Sequence, residues 1–355
     1  MLYRLLIADD SPLYRLRLSQ IFAASDRLQI VGLAANGREA IALIKERRPD
    51  VLVLDLEMPE LDGFSVLRWA MKNTELPVVV CSGLSERESV FRALEAGAVD
   101  FITKPELRHA IRSEDFAVYL RQRVEAAAEA HARAVLPRDE EKESHLVAAR
   151  FAQARARRER ACIVGIVGSA GSPAAVSLIL SKLRRDFCVP VVIALHMPQG
   201  FTRSFAERLS RTTPFTAREA RDTEPVNNSH IYIAPGGHHT TIEADSSGDL
   251  FFHIVSSSEN DFYTPSADKM LGSLARSCGE KSLGIVLTGM GDDGLQGARA
   301  IHERGGSVIV ESRDSALIWG MPRAVSEAGL ASAELTPAAI SAALPLLCEN
   351  EKLGK

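Results

Sequence analysis

Short apolar runs alternate with helix-periodic segments along this chain, and that alternation restricts it to α/β folds built on parallel sheets. In the first 132 residues the runs fall at 5–8, 30–34, 51–54, 78–81 and 99–102, each of strand length. Segments such as 12–22 and 38–47 space their apolar residues as one helical face. The pattern resumes after Arg160 with a run ending at Gly168, a helix expected over 173–183, and strands at 189–195 and 283–288. Shorter runs between 215 and 255 look hairpin-like, with turns at Pro235-Gly236-Gly237 and Ser246-Ser247-Gly248-Asp249. Two domains are the natural division of 355 residues. The first is a five-stranded parallel sheet over 1–132; the second, over 161–348, is doubly wound and mainly parallel with an antiparallel portion.

The stretch 118–134 extends the last helix of the first domain, and Pro137 breaks it. An acidic cluster (Asp139, Glu140, Glu141, Glu143) and a basic one (Arg150, Arg155, Arg157, Arg158, Arg160) follow. With few large apolar residues, 133–160 reads as a linker whose charges form a solvated face.

Ligands in such sheets bind at the carboxyl ends of the strands, so the polar residues there are informative. Asp9 and Asp10 end the first strand, Asp55 the third and Ser82 the fourth, and Lys104 follows the fifth. Three carboxylates brought together repel one another and need a cation; hard oxygen ligands favour Mg2+. A carboxylate beside such a metal is a competent phosphoryl acceptor, and the lysine can pair with the phosphorylated form. Any one of these acids alone is more often a helix cap or a loop residue. Together with Asp55-Leu56-Glu57-Met58-Pro59, Asp62-Gly63 and Lys104-Pro105, they make this part of the chain resemble the receiver domain of two-component response regulators. The resemblance implies a flavodoxin-like fold, phosphorylation of Asp55 by a histidine kinase, and Mg2+ held by Asp9, Asp10 and Asp55. It further implies that Ser82 bonds the phosphoryl group, that Lys104 pairs with it, and that Phe101 repacks as a switch.

In the second domain, Gly168-Ser169-Ala170-Gly171 forms a tight turn after an apolar strand, and Pro173 suits a helix start. A serine there is lifted out of the sheet toward the N–H groups of the helix. His196 follows the next strand, and Asp293 lies in Gly289-Met290-Gly291-Asp292-Asp293-Gly294 after a third. Serine needs a histidine to take its proton and a carboxylate to orient that histidine. Alone, each has a plainer reading: a turn residue, a capping histidine, a helix N-cap. The order Ser, His, Asp and the absence of G-x-S-x-G argue against an ordinary α/β-hydrolase. The GxxGxxG spacing from Gly165 to Gly171 is a weak nucleotide signal, and His230, His238, His239 and His253 lack a ligand cluster around them.

The run from His196 to Leu209, Tyr232-Ile233-Ala234-Pro235-Gly236, the Leu287–Gly294 stretch and Trp319-Gly320-Met321-Pro322-Arg323 resemble the catalytic domain of chemotaxis protein-glutamate methylesterases. The resemblance implies Ser169 as nucleophile, His196 as general base, Asp293 as its orienting acid and the Met290 N–H as oxyanion donor. It implies methylated chemoreceptors as substrates, release of methanol, deamidation of glutamine as a companion activity, and no cofactor for the esterase step. Where that family's turn reads Ser-Thr-Gly-Gly, this chain has Ser169-Ala170-Gly171-Ser172. Ala170 removes a hydroxyl near the histidine, and Ser172 adds a β-carbon where the backbone turns closely. The altered turn favours a second class, a phosphorylation-switched binding module or phosphate sink with a weak or inactive hydrolase domain.

A net charge of -4 gives no support for nucleic-acid binding. Five scattered cysteines without a CxxC pair fit reduced thiols, and no apolar run reaches the length of a bilayer span. A cytoplasmic, monomeric protein without membrane insertion is expected.

Overall fold

The computed structural model describes residues 2–82, 87–104, 114–134, 160–258, 261 and 263–348. Two compact units divide the chain, Met1–Pro137 and Arg138–Lys355. Most of the expected linker, with its charge clusters and Pro137, lies outside the described residues.

The first unit runs β1 (Tyr3–Ala8), α1 (Pro12–Ala23), β2 (Leu28–Ala34), α2 (Gly37–Arg47), β3 (Val51–Asp55), α3 (Gly63–Asn73), β4 (Val78–Ser82), α4 (Arg87–Glu95), β5 (Asp100–Thr103) and α5 (Glu114–Ala134). Its sheet has the order β2-β1-β3-β4-β5 with every neighbouring pair parallel. Capping chemistry marks the helix starts. Ser11 precedes Pro12, Asn36 accepts the Glu39 N–H at 2.9 Å, and Asp62 accepts the Ser65 N–H at 2.7 Å. The strand order reverses between β1 and β3, so a crevice opens where Asp9, Asp10 and Asp55 leave the sheet.

The second unit runs β6 (Ile163–Gly168), α6 (Ser172–Ser181), β7 (Val191–Leu195), α7 (Phe201–Thr212), β8 (Thr216–Glu219), β9 (His230–Ile233), β10 (His238–Ala244) and β11 (Leu250–Ser256). It continues through α8 (Ala267–Cys278), β12 (Ser282–Val286), α9 (Leu295–Glu303), β13 (Ser307–Glu311), α10 (Met321–Glu327), β14 (Ala333–Leu335) and α11 (Pro337–Leu347). Seven strands form one sheet, β14-β13-β12-β6-β7-β9-β8, and all its pairs are parallel. In β6, β7, β12 and β13 every residue is buried, as strands covered on both faces must be.

The hairpin reading of 215–255 needs correction. It holds for β10 and β11, which pair antiparallel as a separate two-stranded sheet, and fails for β8 and β9, which join the main sheet in parallel. The link between β8 and β9 contains no helix, so the sequence lacks the helical periodicity that marks the other crossovers. The expected strand at 283–288 also stops early, at Val286, because Thr288 turns away to bond residues outside the ladder.

The sheet's order reverses between β6 and β12, and the carboxyl ends of β12, β6 and β7 are neighbours. Ser169, His196 and the loop carrying Asp293 leave the sheet from these three strands.

Candidate active site

Ser169 begins where β6 ends, and its N–H donates to the Thr288 carbonyl at 2.9 Å. Gly171 has φ +78°, a left-handed conformation that suits glycine and turns the chain into α6. The hydroxyl of Ser172, which stands where the family's turn usually has glycine, donates to the Ser169 carbonyl. The His196 N–H donates to the Gly168 carbonyl at 3.1 Å, which fixes its backbone beside the strand end that carries Ser169.

The imidazole Nε2 of His196 lies 2.8 Å from Asp293 Oδ2. Asp293 is buried at the N-terminus of α8, where anions are favoured. Its Oδ1 accepts the Ser266 hydroxyl at 3.1 Å and the Asp268 N–H at 2.9 Å, while Oδ2 also accepts the Ala267 N–H at 2.7 Å. Burial works to raise its pKa, but the His196 hydrogen bond and charge, with these amides, outweigh it and hold the carboxyl below its ordinary value. The acid therefore stays ionised while it holds the ring. With Nε2 engaged, Nδ1 is the nitrogen left for proton transfer. Among the described residues no hydrogen bond joins the Ser169 hydroxyl to His196, a looseness common before substrate binds.

The Met290 N–H likewise bonds no other described residue. Its neighbour Gly289 is packed so closely that a β-carbon there would lie 2.3 Å from Met321 Sδ and 3.0 Å from the Ser169 nitrogen. A side chain at 289 would push these two turns apart.

In the first unit, carboxylate oxygens of Asp9, Asp10 and Asp55 lie within 4.8 Å of one another. Lys104 Nζ bonds Asp55 Oδ2 and stands 3.3 Å from Asp9 Oδ2. Burial, helped by the Asp9 charge and opposed by Lys104, raises Asp55 to a pKa of about 7. Burial acts to lower the Lys104 pKa, but the Asp55 charge and hydrogen bond outweigh it and raise it. These residues fit a divalent cation: the set is all oxygen, and apart from the Lys104 ion pair buried Asp9 Oδ2 has no partner. Arg15 donates to the Asp9 and Asp10 carbonyls at 2.5 and 2.8 Å, which holds the acidic turn in shape. Beside Asp10 opens a cavity of 520 Å3 that also reaches Met58, Asp62 and Phe64.

A family model described as CheB methylesterase matches residues 164–344, and one described as response regulator receiver domain matches residues 5–114. The chain belongs to the CheB methylesterase family. A relative from Geobacter sulfurreducens named protein-glutamate methylesterase/protein-glutamine glutaminase 3 is 37% identical over 345 residues, 92% of each chain. A relative from Myxococcus xanthus, named protein-glutamate methylesterase/protein-glutamine glutaminase 1, is 40% identical over 318 residues, 89% of each. The crystal structure of the Thermotoga maritima CheB methylesterase catalytic domain is 36% identical, covering 53% of this chain and 98% of that one, with a TM-score of 0.50.

Within this CheB methylesterase fold, His196 and Asp293 are in contact and Ser169 and Met290 stand on the adjoining strand ends. Phe101 is buried in β5 with the Arg123 guanidinium 6.0 Å from its ring centroid. Ser82 ends β4, paired in register with Thr103, and its side chain lies outside the described residues. Several contributors escape sequence reasoning. Tyr263 stacks on His196 with ring centroids 4.5 Å apart and planes 10° from parallel. His239, one of the histidines without a ligand cluster in the sequence, is buried, and its Nδ1 accepts the Ser266 N–H at 3.2 Å. The helix start at Ser266-Ala267-Asp268 had a legible signal: a serine cap before an acid, followed by helical periodicity.

Proposed function

We propose that this chain is a phosphorylation-activated protein-glutamate methylesterase that hydrolyses glutamate methyl esters on chemoreceptors and also deamidates glutamine side chains. The His196–Asp293 pair beside the Ser169 turn carries this reading. Residues 1–132 form the receiver, 133–160 the linker and 161–348 the catalytic domain. Ser169 Oγ attacks the ester carbonyl as His196 takes its proton. The oxyanion receives the Met290 N–H, an interaction worth about 3–4 kcal/mol at comparable sites. The protonated imidazole, held by Asp293, returns the proton to the leaving methoxide, so methanol departs and an acyl-serine remains. Water attacks that ester with the same base, giving glutamate and restoring Ser169. A side-chain amide follows the same course with ammonia as the leaving group.

In the receiver, Asp9, Asp10 and Asp55 would hold Mg2+, which when bound neutralises charge on the transferring phosphoryl oxygens. Asp55 accepts the phosphoryl group from a histidine kinase, Lys104 pairs with the product, and Ser82 and Phe101 respond to it. The phosphorylated form shifts the population toward an active arrangement.

Methanol release from methylated receptors, with and without acetyl phosphate, tests both halves. Wild type releases methanol faster with the phosphodonor, and Asp55→Asn removes the difference between the two conditions. No release by phosphorylated wild type would sink the esterase assignment; equal rates in wild type would sink the regulation.

The metal assignment has its own readout. Because Asp55 has a pKa of about 7, protons compete with Mg2+ for the cluster below that pH. Calorimetry should therefore show Mg2+ raising the unfolding midpoint more at about pH 8 than at about pH 6, as ligand linkage requires. Asp9→Asn should lose most of this shift. A shift equal at both pH values, or intact in Asp9→Asn, counts against the site.

A further inference from the structure

Glu311 ends β13, one strand over from β12, and is 1% exposed. Its Oε2 accepts the Thr288 N–H at 2.8 Å and its Oε1 accepts the Ser315 hydroxyl at 3.1 Å. Burial raises its pKa to about 7, the two hydrogen bonds pulling the other way, and no charged group contributes. A buried carboxylate without a cation is costly, so its partners are informative.

The other polar groups of Thr288 hold the nucleophile turn and the segment beside it. Its carbonyl accepts the Ser169 N–H at 2.9 Å. Its hydroxyl donates to the Ala170 carbonyl at 3.0 Å and accepts the Ile318 N–H at 2.9 Å. The chain then passes directly through Gly289, packed against Ser169, to Met290. Thr288 thus touches both the Ser169 turn and the start of the Met290 turn. Its own N–H is held by Glu311.

We propose that Glu311 is a positioning residue for the hydrolase: its carboxylate fixes Thr288, and Thr288 keeps the nucleophile and the oxyanion donor at one spacing. The inference rests on the assignment of Ser169 and Met290 made above. It also accounts for how a turn with Ala170 in second place stays anchored, since the anchor is the Ala170 carbonyl rather than a side chain.

The test compares Glu311→Leu and Glu311→Gln in the full chain with acetyl phosphate, by methanol release. Leucine leaves the Thr288 N–H without an acceptor, and kcat should fall about a hundredfold, the scale of an ångström-sized misplacement, with KM nearly unchanged. Glutamine keeps an acceptor and should retain kcat within about threefold. Ionised above its pKa, Glu311 makes the stronger, charge-assisted bond, so the ratio of wild-type to Glu311→Gln kcat should rise about threefold from about pH 6 to about pH 8. A leucine variant with wild-type kcat overturns the proposal, as does a ratio flat across that range. Should the leucine variant fail to fold by circular dichroism, the pH ratio decides alone. Ser169→Ala in the same assay separates the two levels. If it stays active, the nucleophile assignment falls; if it is inactive while Glu311→Leu is unimpaired, only the role of Glu311 falls.

Discussion

Ser169→Ala should lower kcat for methanol release by about ten-thousandfold or more, while the protein keeps its fold. In the proposed mechanism the hydroxyl is the group that forms the covalent bond, and neither His196 nor the Met290 N–H can replace it. What those groups leave behind is binding and polarisation, which in comparable triads keeps a residual rate above that of water. The turn itself should survive, because its anchors are backbone groups: the Ser169 N–H on Thr288, and the Ser169 carbonyl accepting from the Ser172 N–H and hydroxyl. Since the lost hydroxyl bonds no described residue, stability should change by about 0.5 kcal/mol or less. A fluorophosphonate probe gives a second measurement: wild type should be labelled at one serine and Ser169→Ala at none. Retained turnover, or undiminished labelling, would move the nucleophile elsewhere.

Much of this site is legible in the sequence for a geometric reason. Parallel strands joined by crossovers end on one edge, so a polar residue just past an apolar run is placed at that edge without knowledge of its contacts. That suffices for Asp9, Asp55, Ser169 and His196. Asp293 is harder, because it follows Val286 by a long loop and has an acidic neighbour, Asp292, that is exposed where Asp293 is buried. Only the helix α8 N-terminus, twenty-five residues away in sequence from Asp293 at Asp268, distinguishes the two. The same holds for Thr288 and Ala170, 118 residues apart and joined by a hydrogen bond that no local pattern announces. Tyr263 is hidden for another reason: an aromatic residue before a proline reads as loop, and stacking depends on where the loop folds back. The error at β8 and β9 is of a third kind, since a parallel pair without a crossover helix presents the same short runs as a hairpin. Local chemistry was readable, and long-range support was not.

The difference between Ala170-Gly171-Ser172 and the family's usual turn also looks different once placed. The Ser172 β-carbon lies at the helix start, fully buried, and its hydroxyl bonds the Ser169 carbonyl. The substitution at 172 therefore adds a bond within the turn, and the hydroxyl absent at Ala170 is what still separates the second reading, a binding module with a weak or inactive hydrolase domain, from the first.

Asp293→Asn should lower kcat by about ten-thousandfold, with KM little changed. The carboxylate accepts from the Ser266 hydroxyl, two backbone N–H groups and His196, and an amide has one accepting oxygen. With its oxygen toward His196 and Ala267, the NH2 confronts the Asp268 N–H; reversed, it confronts the Ala267 N–H and the imidazole. Either choice leaves a buried donor facing a donor, a loss of about 1–3 kcal/mol. The second also favours the wrong imidazole tautomer, with the Nε2 proton gone and Nδ1 no longer free to accept from Ser169. The stability effect carries a sign that can be checked. Because the folded protein holds Asp293 below the ordinary aspartate range, its contribution is present above the unfolded chain's pKa and is lost as pH falls through the native one. The stability gap between wild type and Asp293→Asn should thus narrow below about pH 4. Urea unfolding across that range measures it. A gap that widens in acid would mean that the native carboxyl is not stabilised in its charged form, and the ring would then lack the orienting charge on which proton transfer from Ser169 depends.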